Sequence, residues 1–168
     1  RFVTVCQTIA YAHNRGILHR DIKPDNVMLG RYGDTLVVDW GLAMPIDRDD
    51  SARASGEETL MPSSGSGNSS SGDSGGPVGT PAYMSPEQAA GVGNLTQSSD
   101  IFSLGATLYK LLTGRSPYAG ESARDAVTKA RHADYVAPTE INPDIPAPLE
   151  AICLKTMSFE PGRRYLSA

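Results

Sequence analysis

A mainly α-helical domain carrying one small β-hairpin is the fold class that the sequence predicts, on three observations. Phe2, Val5, Cys6, Ile9 and Ala10 recur at helical spacing, which marks a helix with one buried stripe. Ile101, Phe102, Leu104, Ala106, Leu108, Tyr109, Leu111 and Leu112 are apolar on nearly every helical face, as a helix in the middle of a fold must be. Val27-Met28-Leu29 and Leu36-Val37-Val38 are short apolar runs on either side of Gly30-Arg31-Tyr32-Gly33-Asp34-Thr35, whose glycines suit a turn.

Taken in order, the first helix runs to about Asn14, with His13 and Arg15 near its end and Gly16 as its stop. Ile17-Leu18 leads into the loop His19-Arg20-Asp21-Ile22-Lys23-Pro24-Asp25-Asn26, and the hairpin follows, with Asp39 just past its second strand. From 48 to 78 the composition changes, and residues 63–76 contain no apolar side chain. Such a tract cannot offset its ordering entropy by burial, so a flexible loop is expected. Packed elements flank it, which favours an insertion within one domain over a boundary between two. After it come Gly79-Thr80-Pro81-Ala82-Tyr83-Met84-Ser85-Pro86-Glu87 and a short helix through about Ala90. Ser98-Ser99-Asp100 reads as the start of the central helix and Gly114 as its end. Two more helices are expected at about 122–133 and 148–157, joined by a connection rich in proline: Pro138, Pro143, Pro146 and Pro148. His13 and His132 fall in helical patterns without evident partners and read as structural.

A chain of 168 residues with 39% hydrophobic residues is long enough to bury a core. The net charge of −4 and the lack of any Lys/Arg run argue against nucleic acid or anionic lipid as partners. No apolar stretch reaches the roughly 18 residues of a membrane span. Cys6 and Cys153 each sit in an amphipathic pattern with no CxxC, which points to buried free thiols in a reducing compartment. A cytoplasmic location is therefore expected, with the cytoplasmic domain of a membrane protein as the alternative. Arg1 falls inside a helical pattern, so the chain reads as cut at its N-terminus.

The chemistry-bearing residues gather in two stretches, His19–Asn26 and Asp39-Trp40-Gly41. Phosphoryl transfer needs metal ions on the phosphates, cations against developing charge and a carboxylate to orient the attacking hydroxyl. Asp21 can steer the hydroxyl proton and Lys23 can reach the transferred phosphate. Asn26 offers an amide oxygen and Asp39 a carboxylate, the hard ligands that Mg²⁺ takes beside substrate phosphates.

The pattern H-R-D-x-K-P-x-N, then D-x-G, then x-P-E resembles the protein kinases, and the motifs run through the whole chain in that family's order. Gly79–Glu87 resembles the family's substrate-facing segment, Asp100 the residue opening its central helix, and Pro161-Gly162-Arg163-Arg164 its late P-x-x-R element. Lys23 and Thr80 resemble the Ser/Thr-specific branch, and the wording around Asp39 and Ser85 resembles bacterial kinases of the eukaryotic, or Hanks, type. The resemblance implies the C-terminal lobe of a kinase fold. The Gly-rich loop, strand Lys and helix Glu of an N-terminal lobe do not occur in these residues and are expected upstream.

It further implies Asp21 as catalytic base, assisted by Lys23 and by a Thr80 hydroxyl that bridges the two. ATP and Mg²⁺ (Mn²⁺ as the alternative) are the implied cofactors, with Lys23, Asn26 and Asp39 on the phosphates and metal. Met28, with Val27, Leu29, Thr107 and Leu111, is implied as the floor beneath the adenine. His19 and Trp40 would join a column reaching Asp100, and Glu87 would pair with Arg164. Arg20 is either a surface residue or the receiver of a phosphorylated activation loop, for which Ser71 and Ser74 are the candidate sites; the Ser/Gly tract is otherwise a passive spacer. Asp100 is either a helix cap or the anchor of the catalytic loop. Trp40 stands where the family usually has Phe, and Ser85 where it usually has Ala.

The function implied is transfer of the ATP γ-phosphate to Ser/Thr hydroxyls of protein substrates. The isolated 168 residues are expected to be inactive and to bind ATP poorly. The competing reading is a pseudokinase or docking module that binds protein partners without catalysis. A small-molecule kinase is disfavoured by the segment from Gly79 to Glu87.

Overall fold

Helical periodicity in the sequence becomes six α-helices among the described residues, of which two organise the rest. The computed structural model describes residues 1–46, 78–120 and 122–168. Helix α1 (Phe2–Asn14) buries Val5, Ile9, Ala12 and His13 along one stripe. Helix α3 (Gln97–Thr113) runs through the middle, and every residue from Ser99 to Tyr109 is buried. It starts earlier than expected: Thr96 precedes its first residue, so Asp100 lies inside the first turn and does not cap it. It ends on Gly114, whose left-handed φ of 77° lets its N–H reach the Lys110 carbonyl.

Two apolar clusters lie against α3. Phe102, Ala106, Leu108 and Tyr109 pack with Tyr83, Met84, Tyr118, Cys153 and Met157, while Leu104 packs with Val5, Ile9 and Ile22. Ile22 sits in the middle of the His19–Asn26 loop, so that loop is nailed to the core by an apolar side chain. Helix α6 (Ala147–Thr156) approaches α3 closely at Gly105, where a Cβ would lie 2.7 Å from Met157 Cγ and 2.8 Å from Thr156 Cγ2. Close packing of this kind excludes any larger residue without movement of one helix.

The hairpin forms from β2 (Val27–Leu29) and β3 (Thr35–Val37), antiparallel with Val27 opposite Val37 and Leu29 opposite Thr35. One further bond, Val38 N–H to the Asn26 carbonyl at 2.9 Å, extends the ladder to the residue before Asp39. A second pairing, β1 (Ile17–Leu18) with β4 (Met44–Pro45), went unforeseen, because two-residue strands are too short to show alternation. Helices α2 (Pro86–Ala89), α4 (Ala123–His132) and α5 (Pro138–Ile141) complete the set. Helix α5 falls in the proline-rich connection, with Pro138 at a first position where its missing N–H does no harm.

The expected flexible tract 48–78 lies outside the described residues except for Val78, as do the candidate sites Ser71 and Ser74. Both cysteines are free, and burial pushes the Cys153 thiol up to about 12. No helix among the described residues is long and apolar enough to cross a membrane.

Candidate active site

The loop after β1 is fixed by its own backbone. Asp100, 1% exposed, accepts from the backbone N–H of His19 through Oδ2 and from that of Arg20 through Oδ1, both at 2.8 Å. His13 joins the same carboxylate, with Nε2 2.8 Å from Asp100 Oδ2. That corrects the expectation of a partnerless helical histidine: α1 and α3 meet there, and the contact spans 87 positions of chain, beyond the reach of local pattern. Arg20 takes a left-handed φ of 70°, an uncommon conformation for a residue with a side chain.

Asp21 follows, 8% exposed, and its carboxylate is ringed by donors. Lys23 Nζ lies 2.6 Å from Oδ2, Asn26 Nδ2 3.3 Å from the same oxygen, and Thr80 N–H donates to Oδ1 at 2.8 Å. Lys23 Nζ also donates to Thr80 Oγ1 at 2.6 Å, so the three residues close a ring. Burial raises the Asp21 pKa, but the hydrogen bonds from Lys23 and Thr80 and the Lys23 charge outweigh it, leaving the carboxyl below its usual range. Close approach of the two segments depends on Gly79, with φ of 120°, where a Cβ would lie 3.0 Å from the Arg20 carbonyl oxygen.

His19 Nε2 donates to the Val38 carbonyl at 3.1 Å while Nδ1 accepts from Asp21 N–H at 3.3 Å, which settles the tautomer. Its ring meets Trp40 with centroids 4.5 Å apart and planes tilted by 52°. The indole N–H donates to the Val37 carbonyl at 3.0 Å, which satisfies the extra polar group that Trp carries in place of Phe.

Asn26 Nδ2 donates to the Asp21 carbonyl at 2.8 Å, and this leaves its amide oxygen facing away from Asp21. Asp39, exposed at the head of the Trp40–Leu42 turn, follows directly on the ladder bond that joins Val38 to Asn26. An amide oxygen and one carboxylate fit a magnesium ion that keeps water and substrate phosphates as its other ligands. They do not fit a protein-caged metal, and no cluster of three His, Cys, Asp or Glu side chains occurs among the described residues.

Glu87 and Arg164 form a two-pronged pair, Nη1 to Oε1 at 2.7 Å and Nη2 to Oε2 at 2.9 Å. The guanidinium side chain is 0% exposed, and its remaining N–H groups donate to the carbonyls of Ser158, Ser98 and Phe159. Burial raises the Glu87 pKa, but Arg164 and the Ser99 hydroxyl hold it below the usual range. Arg20 extends its side chain toward β4, with Nη1 3.4 Å from the Leu42 carbonyl and a buried Nε that finds no partner among the described residues. It borders a cavity of about 190 Å³ together with Met44, Val78, Gln88 and Leu95.

One expected grouping does not form. Val27 and Leu29 share an apolar cavity with Thr107, Leu111, Phe2 and Val5, but Met28 does not reach it. Alternation along β2 turns Met28 to the other face, where it pairs with Leu36 and both are exposed. The Thr107 and Leu111 side therefore lies behind the strand from Met28. Sequence reading also passed over Gln88, whose Nε2 donates to the Arg20 carbonyl at 2.8 Å. The signal was present in the S-x-x-Q spacing of Ser85 and Gln88, which form a capping box.

A family model described as "Protein kinase domain" matches residues 1–165. Serine/threonine-protein kinase PknD of Protochlamydia amoebophila is 39% identical over 171 residues, which cover 99% of this chain and 17% of that protein. The PknD proteins of Chlamydia trachomatis serovar L2b and Chlamydia felis are each 37% identical, again over 99% of this chain and 18% and 17% of their own lengths. The chain thus spans less than a fifth of the curated relatives it matches.

Proposed function

The chain belongs to the protein kinase family, in its bacterial Hanks-type serine/threonine branch, and on that premise we propose that residues 1–168 are most of the C-terminal lobe of a catalytic domain. That domain transfers the ATP γ-phosphate to Ser/Thr hydroxyls of protein substrates. The observation that carries the reading is the ring of Asp21, Lys23 and Thr80, closed by contacts of 2.6, 2.6 and 2.8 Å.

Asp21 is the group that receives the substrate hydroxyl. Its lowered pKa makes it a weak base, so its main contribution is to orient the hydroxyl and accept the proton late in transfer. Thr80 and Asn26 hold the carboxylate in one orientation, and Lys23 sets a positive charge where the transferred phosphate gains negative charge. Asn26 and Asp39 would hold Mg²⁺, or Mn²⁺ as the alternative, which neutralises charge on the nucleotide phosphates when bound. Met28, exposed at the open face of the hairpin, is the contact for the adenine. Arg20 receives a phosphorylated residue of the segment between Asp39 and Thr80, with Ser71 and Ser74 the candidates; its buried Nε, which has no partner among the described residues, and the adjoining cavity support that role.

A pseudokinase reading is not favoured, since Asp21, Lys23, Asn26, Asp39 and Thr80 are all present. The test is a steady-state transfer assay on the full-length protein. Asp21→Asn is expected to remove activity to background, and Lys23→Ala to lower kcat by roughly 10²-fold or more. Full activity in Asp21→Asn would refute the assignment.

A further inference from the structure

The peptide between Arg20 and Asp21 is gripped on both edges. Its N–H, from Asp21, donates to His19 Nδ1 at 3.3 Å, and its oxygen, from Arg20, accepts from Gln88 Nε2 at 2.8 Å. The preceding N–H of Arg20 is tied to Asp100 Oδ1 at 2.8 Å. The left-handed φ of 70° at Arg20 is therefore held from both sides, by Asp100 and by Gln88. Such strain persists only where the surroundings over-determine it.

Gln88 is 3% exposed, and its carboxamide has a single workable orientation. Oε1 accepts from the backbone N–H of Ser85 at 3.2 Å and from the Ser85 hydroxyl at 3.1 Å. The hydroxyl in turn accepts from the Gln88 N–H at 3.3 Å. Reversing the amide would set NH₂ against a donor at Ser85 and an oxygen against the Arg20 carbonyl. Ser85, fully buried, thus points the amide nitrogen of Gln88 at the catalytic loop. Both residues lie a few positions beyond Thr80, on the segment that supplies the ring around Asp21.

We propose that Gln88, oriented by Ser85, is a positioning residue that holds the Arg20–Asp21 peptide, and makes the aim of the Asp21 carboxylate depend on the folded state of residues 79–89. A swing of this peptide moves Asp21 off Thr80 N–H and Lys23 Nζ. Misplacement of a reacting group by about 1 Å can lower a rate by roughly 10²-fold. The inference rests on the phosphoryl-transfer reading above.

The test uses the full-length protein and measures kcat, KM for Mg·ATP and thermal midpoint for five forms: wild type, Gln88→Met, Ser85→Ala, the double variant and Asp21→Asn. Gln88→Met keeps length and burial but lacks donor and acceptor. It is expected to lower kcat at least about tenfold with KM for Mg·ATP within about twofold. Ser85→Ala is expected to lower kcat by about threefold, and the double variant to match Gln88→Met alone, because the hydroxyl acts only through the amide. A purely structural role would lower the thermal midpoint while leaving kcat per folded molecule unchanged, and that result overturns the proposal. So do a Gln88→Met kcat within twofold of wild type and multiplied losses in the double variant. If Gln88→Met does not fold, Ser85→Ala decides: a loss in kcat at constant KM supports the proposal and an unchanged kcat ends it. Wild-type transfer no greater than that of Asp21→Asn overturns the phosphoryl-transfer reading and this inference together. Strong wild-type transfer with an indifferent Gln88→Met overturns the inference alone.

Discussion

The neighbours of Asp21 hold its carboxyl below the usual range against the opposing effect of burial. Because its carboxyl lies below the usual range in the folded state, the unfolded chain takes up the proton first as the solution is acidified. The stabilising contribution of the group is therefore complete above the ordinary carboxylate range and is lost as pH falls through that range toward the folded value. Glu87, lowered by Arg164, acts in the same direction. Urea unfolding of wild type and Asp21→Asn between pH 7 and pH 3 should show the wild type losing more stability on acidification; equal losses would mean that Asp21 is not held as described. At this scale the site was half legible. Asp21, Lys23, Asn26 and Asp39 stand in short motifs whose spacing suggests the chemistry we propose for them. His13 meets Asp100, the anchor of the loop, across 87 positions of chain, and Gln88 reaches the Arg20 carbonyl across 68, and no local pattern encodes such a contact. The resemblance groups Met28 with Thr107 and Leu111, and a run of three apolar residues gives no hint of which strand face each takes.

Among the elements, the joint between α2, α3 and the turn at Pro161–Arg163 depends on one guanidinium. Arg164 spends its donors on Glu87 and on the carbonyls of Ser158, Ser98 and Phe159, and stands 4.9 Å over the Phe102 ring. Removing one partner of such a buried pair leaves an unpaired charge, so Arg164→Ala should lower unfolding free energy by about 3–5 kcal/mol in urea titration. A loss under about 1 kcal/mol would show the pair to be solvated. Tyr118 offers the opposite case. Its ring is buried in the larger cluster, and its hydroxyl has no partner among the described residues. Tyr118→Phe should raise stability by about 1 kcal/mol or more by relieving that unpaired group, and a destabilised variant would reveal a hidden bond. Helices α1 and α3 were legible from their apolar residues, and α2, α4 and α6 were expected near their observed places. The short elements β1, β4 and α5 were not, since they are too brief for a period to register and are held by tertiary contacts.

For the molecule as a whole, the chain supplies the His19–Asn26 loop, the turn at Asp39 and the segment Gly79–Glu87, which we propose as the catalytic loop, the metal-binding turn and the substrate-facing segment. It contains no Gly-rich phosphate loop, and the open face of the hairpin is exposed at Met28 and Leu36. As the C-terminal lobe we propose, it forms one wall of a cleft and gives a nucleotide little burial. Calorimetry on the 168-residue chain should therefore detect no micromolar binding of Mg·ATP, and a micromolar Kd would show that these residues suffice. The family was legible from motif order alone, because each motif answers a separate demand of phosphoryl transfer and their sequence along the chain is hard to meet by accident.

The assignment of Asp21 as the residue that receives a substrate hydroxyl is tested by γ-labelled ATP with the full-length protein and a Ser/Thr-containing protein substrate. Label should appear on serine or threonine with the wild type and fall to background with Asp21→Asn. Equal labelling by the two proteins, or label on neither residue type, would contradict it.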